Sequence, residues 1–312
     1  MAGDLRISPI IDISAGDSCV ESVHEACRDT GFFVVVGHGL DDELSALFDA
    51  ARTFFALPQQ EKERVPRVDR YGYVPHSSGA IDTTRQSDNT EFMDLGLGDE
   101  VELPDLAGFE TAVRAYQAAA LEVGARLLRF LAMGLGAPEG FFADRMRRPQ
   151  CRLRFLHYLP LPVRPDGSLP VPNPPHTDYG AITMLATDGV PGLEVKPLGA
   201  DWTPVEAPPG SLVVNLGDML ARWTNDVYRS TPHRVVGSPD RHRYSIPFFV
   251  NPDPETIVEC IPACVSDANP CRYDRVTAGE FLAQRIDRPE EPYVSLGEGP
   301  PRPHVPSEEV ST

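Results

Sequence analysis

The spacing of apolar residues along this chain changes character near residue 150. Before that point, segments with apolar residues every three or four positions alternate with short continuous apolar runs. "ISPIIDIS" (7–14) predicts a short strand and "FFVVVGHGL" (32–40) a buried one. Between them, "CVESVHEACRDTG" (19–31) places Val20, Val23 and Cys27 on one helical face and stops at Gly31. "DDELSALFDAARTFFALP" (41–58) predicts a second helix, with Leu44, Leu47, Phe48 and Ala51 as its stripe, aspartates at its start and Pro58 at its end. Residues 64–100 are irregular apart from a short strand at "TEFMDLG" (90–96). The longest helical pattern covers 105–136, with Val113, Tyr116, Leu127, Leu128 and Leu131 among its apolar positions and Gly134, Gly136 and Pro138 closing it.

After residue 150, short apolar segments are cut by Pro, Gly and Asp turns: "CRLRFLHYL", "AITMLAT", "GLEVKPL", "DWTPVEA", "SLVVNLG", "HRVVG" and "YSIPFFVNP". That rhythm predicts a β sandwich or barrel. The expectation is an α+β protein in which helices lead into, and pack against, a β jelly roll. We expect a single domain: residues 1–104 as an amino-terminal region with a lid, 105–149 as supporting helices, 150–254 as the jelly-roll core and 255–312 as a carboxy-terminal segment. Its last stretch, "SLGEGPPRPHVPSEEVST", is polar and Pro-rich and reads as a loose tail.

The formal net charge of −18 works against nucleic-acid or anionic-membrane binding, both of which need basic patches. No basic-then-apolar leader opens the chain and no apolar run is long enough for a span. A cytoplasmic protein, monomeric or weakly homo-oligomeric, is the expectation. The six cysteines are then expected to be reduced. Cys260, Cys264 and Cys271 cluster in sequence, but without a CxxC knuckle they read as structural thiols rather than a zinc site.

Candidate chemistry starts at "NPPHTDYGAITML" (173–185), where His176 and Asp178 stand two apart. In an extended strand such residues point to one face. Alone, an HxD pair is more often surface chemistry than a metal site. His233 follows after 54 intervening residues, room for four or five short strands that can bring the chain back beside the first. Two histidines and a carboxylate on one face, with further positions open, form the facial triad of non-haem Fe(II) oxygenases. In "RHRYSIPFF", Arg243 and Ser245 are again two apart. A guanidinium facing a barrel interior needs an anion, and a bound dicarboxylate or an internal salt bridge would supply one. By the same parity Arg154, Leu156 and Tyr158 share a face of their strand. Arg154 then points inward, to a substrate carboxylate or to a structural ion pair.

With these residues in place, the chain resembles the 2-oxoglutarate- and Fe(II)-dependent dioxygenase superfamily, in the branch that includes isopenicillin N synthase. The resemblance runs in order through "SPIIDIS", "ACRDTGFFVVVGHGL", "ARTFFALPQQEK", "HTDYGAITML", "GLEV", "GSLVVNLGDMLARWTNDVYRSTPHRVV" and "RYSIPFFVNPD". It implies iron ligands at His176, Asp178 and His233, and a co-substrate clamp of the R-x-S type at Arg243 and Ser245. It also implies a 2-oxoglutarate-bonding tyrosine at Tyr158, although Leu156 stands where the family often has Asn. The implied cofactors are Fe(II), 2-oxoglutarate and O₂. The implied reaction couples decarboxylation of 2-oxoglutarate to succinate and CO₂ with hydroxylation, desaturation or ring formation on a small molecule.

Substrate contacts are expected from Tyr73, Arg85 and Met93 in the lid region, from Arg154, and from Phe248 near the R-x-S strand. A composition rich in Arg, Ala, Pro and Asp hints at specialised metabolism, such as antibiotic biosynthesis. Three readings compete. An isopenicillin N synthase-like oxidase would use the triad without 2-oxoglutarate, and succinate yield separates the two. A non-catalytic metabolite-binding jelly roll would not need an intact triad. A zinc hydrolase would leave Arg243 and Ser245 unexplained.

Overall fold

The computed structural model describes residues 8–76, 89–98 and 102–287. In chain order the elements are β1 (Ile10–Asp12), α1 (Val20–Asp29), β2 (Phe32–Val36), α2 (Asp41–Phe55), α3 (Gln59–Lys62), β3 (Gly72–Val74), β4 (Thr90–Leu95) and α4 (Phe109–Gly134). Then come β5 (Arg152–Tyr158), β6 (Asn173–His176), β7 (Ile182–Thr187), β8 (Leu193–Val195), β9 (Thr203–Pro204) and β10 (Leu212–Leu216). The chain continues through α5 (Asp218–Trp223), β11 (His233–Val235), β12 (Arg243–Val250), β13 (Ile257–Val258), β14 (Val276–Thr277) and α6 (Ala278–Asp287).

The strands form an eight-stranded sheet in the order β1-β2-β10-β7-β12-β5-β4-β3 and a four-stranded sheet in the order β6-β11-β8-β9, with β13 and β14 paired apart. The two larger sheets make the jelly roll. Alternation along each strand of the large sheet sorts side chains to its two faces. Phe33, Val35, Met93, Phe155, Met184, Val214, Ile246 and Phe248 join the main core, which includes the apolar stripes of α1, α2 and α4. Helix α4 packs on this face, where Gly124 stands over Met184 and Val250. The opposite face looks toward the small sheet, through Phe32, Val34 and Val213 against Leu193 and Val195 at one end and through Phe92, Leu156 and Tyr158 against Val235 at the other. Burying a side chain of this size contributes about 1.5–3 kcal/mol, so reversing either face by a one-residue slip would be prohibitive.

The strand expected over 7–14 is shorter, because the Asp12 carboxylate accepts hydrogen bonds from the Ser14 amide (2.9 Å) and hydroxyl (2.7 Å) and starts a 3₁₀ segment, Ile13–Cys19. The helix expected over 41–58 breaks before Pro58, which then opens α3. Helix α6 was not expected, although Thr277 and Glu280 form a reciprocal capping box at its start. Cys19, Cys27, Cys151 and Cys264 are buried and outside any disulfide among the described residues, in line with the expected reduced thiols, but Cys260 and Cys271 are joined in a disulfide. The fold brings their Cα atoms to 6.0 Å, a separation that sequence spacing alone does not set.

Candidate metal centre and active-site cavity

Strands β6 and β11 pair antiparallel so that His176 and His233 are direct cross-strand partners, and their rings lie 4.2 Å apart. Asp178 sits just past the end of β6. Its parity with His176 is kept, because Thr177 between them turns the other way to donate to Asp218 (3.1 Å). One ligand atom from each of His176, Asp178 and His233 lies within 4.8 Å of the others. The loop that carries Asp178 is fixed by the turn after β10, where the Asp218 amide donates to the Asp178 carbonyl (2.8 Å). Gly217 permits that approach, since a Cβ there would collide with the Gly180 carbonyl oxygen.

The hydrogen bonds around the triad leave one coordinating atom of each residue facing inward. His176 Nδ1 donates to the Pro174 carbonyl (2.8 Å) and His233 Nδ1 to the Thr231 carbonyl (3.2 Å). A carbonyl can only accept, so each Nδ1 carries a proton, and Nε2 is the ring nitrogen left to face the cavity. Asp178 Oδ2 accepts from Thr183 (2.5 Å) and Asn215 (2.7 Å), and Oδ1 is left at 3.8 Å from His233 Nε2. Burial, then the neighbouring His233, lower the His176 imidazole to about 4, so it is neutral at pH 7. Burial would raise the Asp178 carboxyl, but His233, His176 and the two donors outweigh it and lower it. A neutral His176 imidazole and an ionised Asp178 carboxylate, each oriented by an outer hydrogen bond, suit a divalent metal. Two nitrogens and one oxygen with one side open suit Fe(II).

The triad opens into a cavity of about 1010 Å³ between the sheets. At one end Arg243 is 3% exposed, its Cζ lies 5.1 Å from the Tyr158 ring, and its Nε donates to the Val190 carbonyl (3.2 Å). Its Nη1 is buried with no hydrogen-bond partner among the described residues. Ser245 shares its face and is 2% exposed, and Tyr158 is the cross-strand partner of Arg243. An unmet buried guanidinium nitrogen on a cavity wall fits the distal carboxylate of a dicarboxylate.

Residues 149–252 match the family described as the 2OG-Fe(II) oxygenase superfamily, and residues 8–111 match the amino-terminal region described as non-haem dioxygenase in morphine synthesis N-terminal. A 2-oxoglutarate-Fe(II) type oxidoreductase of Aspergillus fumigatus is 33% identical over 311 residues, covering 89% of this chain and 92% of the relative. A full-length Neurospora crassa protein solved in complex with alpha-KG and thymine superposes with a TM-score of 0.81 at 26% identity, over 93% of this chain and 99% of that one. JOX2 in complex with 2OG, Fe and JA superposes at 0.78 with 28% identity, over 90% and 84%. The chain belongs to the 2OG-Fe(II) oxygenase superfamily. It is an Fe(II)- and 2-oxoglutarate-dependent oxygenase of small molecules, with a jelly-roll core.

Several substrate contacts expected of this oxygenase are corrected by strand parity. Phe248 alternates with the cavity-facing Pro247 and Phe249, so it points the other way, into the core against Tyr116. Met93 is fully buried in the same core, while its neighbours Phe92 and Asp94 face between the sheets. Tyr73 is also turned away from the cavity, and its hydroxyl donates to Glu91 (2.5 Å). Arg154 does face the cavity, but its fork is taken by Asp94 through bonds of 2.6 and 2.7 Å, which corrects the expected substrate carboxylate to an ion pair. Arg85 lies outside the described residues.

Thr183 and Asn215, which hold Asp178, were missed by the sequence reading. Their signal was a polar residue at an inward position of an apolar strand, Thr183 in "AITMLAT" and Asn215 in "SLVVNLG". Arg152, on the cavity wall beside Arg154, was missed as well.

Proposed function

We propose that His176, Asp178 and His233 hold the iron of this oxygenase through the two Nε2 atoms and Asp178 Oδ1, and that Arg243 and Ser245, with Tyr158 beside them, bind the distal carboxylate of 2-oxoglutarate. The observation that carries the second assignment is the buried Nη1 of Arg243, unpartnered among the described residues, in the wall of the triad's own cavity. The chemistry that bound Fe(II), 2-oxoglutarate and O₂ supply is decarboxylation to succinate and CO₂, coupled to oxidation of a substrate C–H bond.

The residues contribute position and a dry site. Pro174 and Thr231 fix the two imidazole tautomers. Thr183 and Asn215 hold one oxygen of Asp178 by hydrogen bonds and leave the other facing the cavity. Leu156, Leu185, Leu193 and Val235 line the Arg243 end, where excluding water strengthens a guanidinium–carboxylate pair. The substrate enters from the other side, past Tyr71, Tyr179, Phe249 and Leu282. The setting we infer, cytoplasmic specialised metabolism, is supported by composition alone. The test is stoichiometric succinate release from 2-oxoglutarate by the Fe(II) protein in a screen of candidate small molecules. Substrate oxidation without succinate would overturn the 2-oxoglutarate assignment.

A further inference from the structure

The cavity is richer in cations than a chain with a net charge of −18 would lead one to expect. On the side away from Arg243 its walls carry Arg67, Arg70, Arg152, Arg154 and Arg285; among the described residues Asp69 shares the wall, Asp94 pairs with Arg154, and Asp218 holds Arg285 (3.1 Å). Asp94 is fully buried, and both of its oxygens are engaged by Arg154. Arg152 is left with a long approach, Nη1 at 3.7 Å from Asp94 Oδ2, and donates no hydrogen bond among the described residues. Two guanidiniums therefore share one carboxylate, and the second has donors to spare.

The sheet register sets where this second cation stands. Arg152 is the cross-strand partner of Phe249 on β12, and Phe249 is in turn the partner of Thr183 on β7. Thr183 is the residue that holds Asp178. Strands are spaced about 4.8 Å apart, so Arg152 stands roughly 10 Å across the sheet from the strand behind the metal ligands, at their level. Arg243 is paired with Tyr158, six residues further along β5, or roughly 20 Å away. The two cations thus stand far apart along the cavity, and one small acid would not occupy both. Arg152 is also held in place: its Cζ sits 4.6 Å over the Phe249 ring, and its side chain is 27% exposed, so it can be reached from the cavity mouth. Burial pulls its guanidinium down to about 10, which leaves it charged at neutral pH.

Building on the assignment of this cavity as the active site, we propose that the substrate is a carboxylic acid whose carboxylate pairs with the fork of Arg152, while its apolar body packs among Tyr71, Phe249, Leu282 and Ile286. A single planar fork fixed over an aromatic ring matches a planar two-oxygen anion. Such a contact would turn the substrate so that its acid end is at β5 and a carbon along the chain or ring faces the triad.

The test uses the protein loaded anaerobically with Fe(II) and saturating 2-oxoglutarate, which keeps acids off Arg243. Isothermal titration calorimetry compares matched pairs: 3-phenylpropionate, 4-phenylbutyrate, cyclohexylacetate and decanoate, each against its primary amide. We expect at least one acid to bind roughly 10-fold or more tightly than its amide, because the amide forgoes the charge-assisted pair. Arg152→Leu should erase that preference and Arg152→Lys should keep part of it, while 2-oxoglutarate affinity stays at the wild-type value in both, which also reports that they fold. Equal binding of acids and amides, no acid-selective member, or selectivity that survives in Arg152→Leu would overturn the proposal. If 2-oxoglutarate itself fails to bind the wild-type Fe(II) protein, the assignment beneath it falls as well.

Discussion

Replacing Arg243 with leucine should separate co-substrate binding from folding. In the native chain the Arg243 guanidinium is almost wholly buried. Among the described residues it has a hydrogen bond to the Val190 carbonyl, a ring contact with Tyr158 and an Nη1 with no partner. If 2-oxoglutarate completes this set, Arg243→Leu removes a charge-assisted pair and leaves a buried carboxylate unpaired. Truncating one partner of such a pair costs about 2–5 kcal/mol, which is roughly 30-fold to a few thousand-fold in dissociation constant. Stability of the ligand-free protein should move the other way or not at all, because the variant no longer buries an incompletely compensated charge. Arg243→Lys keeps the charge without the fork and should fall between. The assay is anaerobic titration of 2-oxoglutarate into the Fe(II) protein, following the metal-to-ligand charge-transfer band, alongside thermal unfolding without ligands. Unchanged affinity in the leucine variant would remove Arg243 from the co-substrate site. A large loss of ligand-free stability would show that Arg243 is chiefly a structural cation.

His176→Ala, Asp178→Ala and His233→Ala should each abolish succinate release and bound iron, measured by metal analysis of the purified variants, with the circular dichroism of the fold retained. Asn215→Ala removes one of two donors to Asp178 Oδ2 and should weaken iron binding about 10- to 100-fold without abolishing it, as read by competition with a chelator. Away from the site, Glu91 is buried, which would raise its carboxyl, but hydrogen bonds from His157, Lys62 and Tyr73 outweigh burial and lower it from 4.5 to about 2. A depressed carboxyl stabilises the fold above its unfolded value, so this contribution, on the order of 3 kcal/mol, is present above about pH 4.5 and lost as pH falls toward 2. Glu91→Gln should therefore flatten the pH dependence of urea-unfolding stability between those limits, and an unaltered slope would show that the network carries no such linkage.

Local spacing alone carries a good part of this fold. A period of two in "CRLRFLHYL" and "YSIPFFVNP" is enough to call for half-buried strands, and the i, i+2 pairs His176/Asp178 and Arg243/Ser245 share a face wherever a strand lies, because side chains on an extended backbone alternate. The same parity already contained the correction of Phe248, which is five residues from Arg243 and so must point to the other face. The T-x-x-E signature of α6 was legible in the same local way. Which strands become neighbours is a matter of long-range packing. Nothing local sets His176 opposite His233 across β6 and β11, or aligns Arg152, Phe249 and Thr183 across three strands, because register depends on burying two apolar faces at once. Charge partners were equally out of reach. Arg154 and Arg152 stand two apart and face the same way, yet Asp94 on an adjacent strand engages one closely and leaves the other with donors to spare. That choice is made over a few ångströms between elements 60 residues apart in the chain.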